Sequence, residues 1–116
     1  MSILSRLFGP RQRPTPAEPA ELSRRLGVPS PDQPRSLALY AYDTCPYCRR
    51  VYQALQGLGI EVPVRNTRHD TLAAQELRAL TGGSQVPCLV IDGQPLLESA
   101  DIIAWLESYK ANGSSR

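Results

Sequence analysis

From residue 36 onward, the pattern of apolar and polar positions predicts strands and helices in alternation. Apolar runs without a helical period, or with strict alternation, predict four strands at residues 37–42, 60–65, 88–91 and 95–97. Apolar residues three or four apart predict three helices: one opened by Pro46 and closed by the glycines at 57 and 59, one over 71–80, and one capped by Ser99. The side chains expected to face inward include Ile60, Val62, Val64, Leu72, Leu77 and Leu80.

The element order β-α-β-α-β-β-α predicts an α/β fold. The first crossover helix should place strands one and two parallel to each other. Asp92-Gly93 is a strong two-residue hairpin signal, so strands three and four should be antiparallel. We therefore expect a four-stranded mixed sheet with helices on both faces.

The first 35 residues differ in composition from the rest. Seven of the eleven prolines lie there, with six arginines against three acidic residues. Prolines at this density interrupt helices and strands, which predicts a Pro-rich extension over 1–35 that is partly helical or disordered. Short helices fit at Ser2–Gly9 and Ala17–Gly27, either solvated or packed on the domain, and the first could also contact a membrane surface or a partner. The domain is expected at 36–110, and a disordered C-terminus at 111–116.

Composition limits the classes of function. The chain has 116 residues and a net charge of +2, which is too small a charge to indicate nucleic acid as a partner. The length suffices for one domain. No apolar run reaches the roughly 18 to 20 residues of a membrane span, and the N-terminus has no secretory signal pattern. We expect a cytoplasmic monomer without a transmembrane segment.

The cysteines carry the candidate chemistry. Three cysteines exclude a fully paired disulfide scaffold, and two form a Cys-x-x-Cys motif at 45–48, where the first strand meets the first helix. Cys45 lies just before the helix, where unpaired N–H groups and the helix dipole stabilise a thiolate, and Arg49 and Arg50 add positive charge. Cys48 lies in the first turn, where its sulfur should be less exposed. Cys45 is therefore predicted to attack a disulfide and Cys48 to resolve the mixed disulfide.

A zinc site is the alternative interpretation of this motif. Zinc takes four ligands, and only Cys88 and His69 could complete the set, at no recognised zinc spacing. We expect no metal. Cys88 is interpreted as a small buried apolar side chain, with a regulatory disulfide or a glutathione adduct as the alternative.

The sequence around the cysteines resembles two related families. Thr44-Cys45-Pro46-Tyr47-Cys48 resembles the active site of dithiol glutaredoxins. Residues 81–87, Thr-Gly-Gly-Ser-Gln-Val-Pro, resemble the segment that ends in the cis-proline of the thioredoxin-like fold. Residues 97–103 resemble both the acidic stretch of glutaredoxins and the Glu-Ser pair before the last helix of the glutathione transferase N-terminal domain. The resemblance covers residues 36–108 and implies a thioredoxin-like fold with a glutathione site.

The resemblance also implies contacts for glutathione. It implies that the Val86–Pro87 bond is cis and that the Val86 backbone pairs with glutathione as with an extended peptide. The γ-glutamyl carboxylate would lie at Ser99 and the N-terminus of the last helix. Its ammonium would pair with Glu98 or Asp101.

The glycine end of glutathione needs a cation or an amide. Glutaredoxins often place a lysine where this chain has Tyr42. This departure leaves Arg68, Arg65 or Gln85 to bind the glycine carboxylate. Tyr47 would flank the reactive sulfur.

The resemblance implies a glutathione-dependent thiol–disulfide oxidoreductase that reduces protein–glutathione mixed disulfides and protein disulfides. Its partners would be glutathione, as reductant, and glutathionylated or disulfide-containing proteins. A glutathione-ligated iron–sulfur carrier is one alternative, disfavoured because such glutaredoxins usually have a Gly-Phe-type motif. A glutathione-transferase-like protein is another, disfavoured because the chain lacks the length for the helical second domain.

Overall fold

The computed structural model describes residues 16–112, so the helix expected at Ser2–Gly9 and residues 113–116 lie outside the described residues. The described range contains four helices and four strands. In chain order they are α1 (Pro19–Leu26), β1 (Leu37–Ala41), α2 (Pro46–Leu58), β2 (Val64–Asn66), α3 (Thr71–Thr81), β3 (Cys88–Ile91), β4 (Gln94–Leu96) and α4 (Ser99–Asn112). The element order predicted from residue 36 onward is confirmed. α4 includes residues 111 and 112, which were expected to be disordered.

The strands form one mixed sheet in the order β2-β1-β3-β4. β1 and β2 are parallel, whereas β3 is antiparallel to both β1 and β4. The β3–β4 turn uses Asp92 at φ 49° and Gly93 at φ 86°, the two positive φ angles that a tight hairpin of this twist requires. Because the turn is this short, β4 resumes at Gln94, one residue before the predicted start. The α/β fold class is confirmed.

Helices cover both faces of the sheet, and strand alternation decides which side chains meet them. On one face, Leu39 and Leu89 join the main core, to which α2 and α4 contribute. On the other face, Tyr40 and Cys88 pack against α3. Cys88 therefore lies on the opposite face of the sheet from α2.

α1 packs against α4. Leu22 is fully buried, the indole Nε1 of Trp105 donates a 2.9 Å hydrogen bond to the Pro29 carbonyl, and the Ser108 hydroxyl donates one of 2.9 Å to the Ala17 carbonyl. The helix expected at Ala17–Gly27 is thus present, and it is packed on the domain rather than solvated.

The second strand is shorter than predicted. Ile60 and Val62 pack on the main core before the strand begins, and Val64 is 46 % exposed. Pro63 has no N–H to donate, although its carbonyl accepts a 2.9 Å bond from the Leu39 N–H. Regular pairing therefore starts at Val64, and the predicted six-residue strand with a common inward face is wrong.

The apolar face of α3 also differs from the prediction. Ala73 and Leu77 are buried, whereas Leu72 and Leu80 are 58 % and 38 % exposed. Leu72 lies about 100° around the helix from Ala73, which turns it away from the sheet. In the described range, no helix is both long and apolar enough to cross a membrane.

Candidate active site

The candidate site begins where β1 passes into α2. Cys45 is the residue that caps α2, with extended backbone angles (φ −86°, ψ 122°), and Pro46 follows as the first helical residue. The Cys45 sulfur accepts a hydrogen bond from the Cys48 N–H, with 3.4 Å between Sγ and N. A sulfur thus takes the place of the usual capping oxygen, and both cysteines are free thiols.

The two sulfurs differ in burial. Cys45 is 8 % exposed and Cys48 is fully buried. The pKa of the Cys48 thiol is raised to about 12, chiefly by burial; the charges of Cys45 and Asp43 also act to raise this pKa, and a hydrogen bond with the Tyr42 backbone acts to lower it. Cys48 therefore stays protonated at neutral pH. Of the two sulfur-bearing residues, Cys45 is the one that keeps some exposure to solvent.

Two arginine–tyrosine stacks flank this helix start. The Arg50 guanidinium lies 5.6 Å from the ring centroid of Tyr47, whose side chain is 56 % exposed. The Arg68 guanidinium lies 4.1 Å from the centroid of the Tyr42 ring. Tyr42 occupies the sequence position at which glutaredoxins often have lysine. A cation is thus present beside Tyr42, although a different part of the chain supplies it.

The segment before β3 presents free backbone. The Val86–Pro87 peptide bond is cis. Within residues 16–112, Val86 makes no backbone–backbone hydrogen bond, and its side chain packs on both core clusters. Gln85 beside it is exposed. The N–H and carbonyl of Val86 are therefore available to an extended ligand.

The start of α4 lies one residue earlier than the sequence predicted. Ser99 is the first helical residue, and the Ile102 N–H donates a 2.9 Å bond to the Glu98 carbonyl, so Glu98 occupies the capping position. The prediction that Ser99 is the N-cap is wrong. The N–H groups at 99–101 have no partner within the helix, and the carboxylate of Asp101 lies in the first turn.

A cavity of about 310 Å³ opens beside Tyr42. Besides Tyr42, its polar lining consists of Thr67, Arg68, Thr71, Gln75, Arg78 and Ser84. Two guanidinium groups, the hydroxyl groups of two threonines and one serine, and one amide give it the chemistry of a carboxylate site.

Arg65 does not line this cavity. Its Nη2 lies 2.7 Å from Glu76 Oε1, which also accepts a 2.9 Å bond from the Tyr40 hydroxyl, and its Nη1 lies 3.3 Å from Asp70 Oδ2. These bonds hold the edge strand β2 to α3. Arg65 therefore has a structural role, which removes it as a candidate for the glycine carboxylate.

No group of three or more His, Cys, Asp or Glu side chains in the described residues is arranged to hold a metal ion. Cys88 faces α3, on the other side of the sheet from Cys45 and Cys48. It is therefore not placed to complete a ligand set with them.

Two further residues near the site were not expected. Arg78 lines the cavity, and this follows from tertiary packing that no local pattern indicates. Tyr52 lies four residues after Cys48, a spacing that places both on one face of a helix and could have drawn attention to it.

The comparisons with known proteins support both resemblances. The family model of the glutathione S-transferase N-terminal domain matches residues 39–114. The chain belongs to this family. A curated relative of this family member, an uncharacterised glutaredoxin-like 8.6 kDa protein in the rubredoxin operon of Clostridium pasteurianum, is 32 % identical over 57 residues, which are 49 % of this chain and 76 % of that protein.

Solved structures give the same fold for this glutathione S-transferase N-terminal-domain protein. A glutaredoxin from Archaeoglobus fulgidus matches with a TM-score of 0.53 at 18 % identity, over 62 % of this chain and 86 % of that one. A maleylacetoacetate isomerase from Anaeromyxobacter dehalogenans, with dicarboxyethyl glutathione and citrate in its active site, matches with a TM-score of 0.50 at 32 % identity. That match covers 68 % of this chain and 39 % of the isomerase. The protein is thioredoxin-like in fold and related to both glutaredoxins and glutathione transferases.

Proposed function

We propose that the protein is a glutathione-dependent thiol–disulfide oxidoreductase acting on protein–glutathione mixed disulfides and on protein disulfides. The observation that supports this most is the unequal cysteine pair. Cys45 caps a helix and accepts an N–H bond, and Cys48, three residues later, is fully buried. The reaction requires reduced glutathione as co-substrate, which fits the expected cytoplasmic location.

With a mixed disulfide, Cys45 acts without its partner. The Cys45 thiolate attacks the glutathione sulfur, the bond to the protein sulfur breaks, and the protein leaves as a thiolate that takes a proton from water. Cys45 is then joined to glutathione. A second glutathione thiolate attacks the glutathione sulfur of this bridge, which releases Cys45 and oxidised glutathione.

With a protein disulfide, both cysteines act. Cys45 attacks one substrate sulfur and the other leaves as a thiolate. Cys48 then attacks Cys45, which forms the Cys45–Cys48 disulfide and releases the second substrate thiol. Two glutathione molecules reduce this disulfide and become oxidised glutathione.

Glutathione would lie across three segments. Its cysteinyl backbone pairs with Val86 beside Pro87, with Tyr47 and Gln85 at the rim. The γ-glutamyl carboxylate meets the free N–H groups at Ser99 and the next two residues. The ammonium pairs with Glu98 or Asp101, whose carboxylates begin the same helix.

The glycine carboxylate would enter the cavity beside Tyr42. Arg68 supplies the cation there, held over the Tyr42 ring, and Thr71 and Ser84 supply hydroxyl donors. Arg68 is preferred to Arg65 for this contact because, among the described residues, Arg65 is paired with Asp70 and Glu76 whereas Arg68 has no carboxylate partner.

Three cysteine variants test the proposed function. Cys45→Ser should abolish reduction of a glutathionylated peptide in a glutathione-coupled assay. Cys48→Ser should keep much of that activity and lose the reduction of protein disulfides. Cys88→Ala is the matched control and should retain both activities, because Cys88 lies on the far face of the sheet. Equal inactivity of the Cys45 and Cys48 variants toward the glutathionylated peptide would contradict the monothiol route.

A transferase-like role is the second candidate. It is favoured by the family match and by the likeness to an isomerase whose structure holds a glutathione derivative. The same preparation should be assayed for conjugation of glutathione to chlorodinitrobenzene. The transferase role would be favoured over the oxidoreductase role by two results together. The Cys45→Ser variant would still conjugate glutathione, and the unchanged protein would not reduce mixed disulfides.

A further inference from the structure

The cavity beside Tyr42 carries more positive charge than the proposed glutathione contact uses. Arg68 and Arg78 both line it, and none of the described residues in its lining is an aspartate or a glutamate. The four ion pairs among the described residues involve neither arginine. The glycine carboxylate of glutathione has a single negative charge, which one planar guanidinium can bind through two hydrogen bonds. Arg78 is thus left without an assigned partner.

Arg78 belongs to a row of residues along α3 that line the cavity. The others are Thr71, Ala74 and Gln75, and their positions recur every three or four residues, which places the row on one side of the helix. Arg78 lies seven residues after Thr71, about 10 Å along the helix axis. Helical side chains lean toward the N-terminus of their helix, so Arg78 extends back along this row. The helix therefore places Arg78 along the same cavity as Arg68, which comes from the turn before α3.

The cavity also adjoins the segment proposed to bind the peptide backbone of glutathione. Ser84, two residues before Val86, lines the cavity. On the other side, the carbonyl of Tyr42 accepts a 3.4 Å hydrogen bond from the Cys45 N–H. A peptide that pairs with the free Val86 backbone can therefore continue past its own cysteine into the cavity. The residue that follows that cysteine, glycine in glutathione, is the part that meets the two arginines.

We propose that Arg78 is a specificity-determining residue, through which the cavity selects γ-glutamylcysteinyl peptides whose third residue carries a second carboxylate. This assignment rests on the proposed function, because it concerns the same glutathione site. Arg68 binds the α-carboxylate of the third residue, as in glutathione, and Arg78 binds its side-chain carboxylate. A peptide is favoured over a free phosphate because the cavity adjoins Val86, whose backbone an extended peptide can pair with.

Binding of S-methylated peptides tests this selection without any redox step. The probes are S-methylglutathione and its two analogues in which aspartate or asparagine replaces glycine. The two analogues have nearly the same shape and differ in one charge. Titration calorimetry of the full chain at low salt should show the aspartate analogue bound about fivefold more tightly than the asparagine analogue, the effect of one exposed ion pair. Because the thiol is blocked, the result does not depend on whether the protein is an oxidoreductase.

Three arginine variants assign the selection to its residue. Arg78→Gln should abolish the preference, so that the two analogues bind equally. Arg68→Gln should weaken the binding of all three peptides and keep the preference, because it removes the contact that the peptides share. Arg24→Gln is the matched control: it removes the same charge from an exposed position on α1 and should change neither the affinities nor the preference.

Two results would overturn the role of Arg78 and leave the glutathione site in place: equal binding of the two analogues by the parent, or a preference that survives Arg78→Gln. Failure of all three peptides to bind would overturn the glutathione site and the selection with it. Inorganic phosphate could also displace S-methylglutathione more strongly than chloride does at matched ionic strength. That result, without a preference between the analogues, would identify a phosphate site instead.

Discussion

Cys88 is a thiol that the proposed chemistry does not use. It is fully buried against Tyr40, Ala73 and Leu77, and no solvent reaches it. Burial raises the pKa of this thiol to about 11. These properties match a small apolar side chain in the core rather than a redox-active group.

The raised pKa of Cys88 predicts how stability changes with pH. In the unfolded chain the thiol releases its proton near pH 9, its ordinary value, whereas the folded protein holds the proton to about pH 11. Stability is therefore fully present below about pH 9 and is lost as the pH rises toward 11, by up to about 3 kcal/mol. Urea unfolding under reducing conditions across this range measures the loss.

Cys88→Ala supplies the control. It should be less stable than the parent near pH 8, by about 1 kcal/mol, because the core loses a sulfur atom. The difference should shrink or reverse as the pH rises, since the variant has no thiol to ionise at this position. If the free energies of unfolding of the parent and of Cys88→Ala changed with pH by the same amount, the pH effect could not be assigned to Cys88.

α1 shows how a segment with many prolines becomes part of the domain. Leu22, in the N-terminal half of α1, is fully buried where this helix packs against α4. In the segment that follows α1, the Pro29 carbonyl accepts a hydrogen bond from the Trp105 indole. Leu22→Ala should lower the free energy of unfolding by about 2 to 5 kcal/mol, because it empties a fully buried site. Arg25→Ala changes an exposed side chain of the same helix and should have little effect. If urea unfolding gave the two variants the same stability, α1 would not be docked in solution.

The elements that the sequence predicts well are those whose signals are local. Asp92-Gly93 specifies its hairpin through its own backbone angles, and Pro46 marks a helix start by lacking an N–H. Val64 was wrongly expected to face inward, because the bounds of the edge strand β2 depend on how it pairs with β1, which its own sequence pattern does not show. Leu72 was misplaced because an apolar residue can lie just outside the buried face of a short helix. The sequence left open whether α1 is solvated or packed on the domain, because the partner surface on α4 is about 80 residues away in the chain.

The candidate glutathione site depends on the whole molecule in the same way. Resemblance to known families picked out Val86 and Glu98 by their motifs, without showing the distance between them. Arg65 and Arg68 looked equivalent in the sequence, since one lies at the end of the predicted second strand and the other lies three residues beyond it. The fold separates them: Glu76 and Asp70 hold Arg65, while Arg68 lies over Tyr42 at the cavity. Only tertiary contacts could make this distinction.

This separation predicts opposite effects for two similar substitutions. Arg68→Gln should raise the KM for glutathione about fivefold with little change in kcat, because an exposed ion pair contributes at most about 1 kcal/mol. It should leave the melting temperature unchanged. Arg65→Gln should leave the KM unchanged and lower the melting temperature, because it breaks the bonds to Glu76 that join β2 to α3. Steady-state kinetics and thermal unfolding of both variants measure these effects. An equal rise in the KM for glutathione in the two variants would contradict the assignment of Arg68 as the cation that binds the glycine carboxylate.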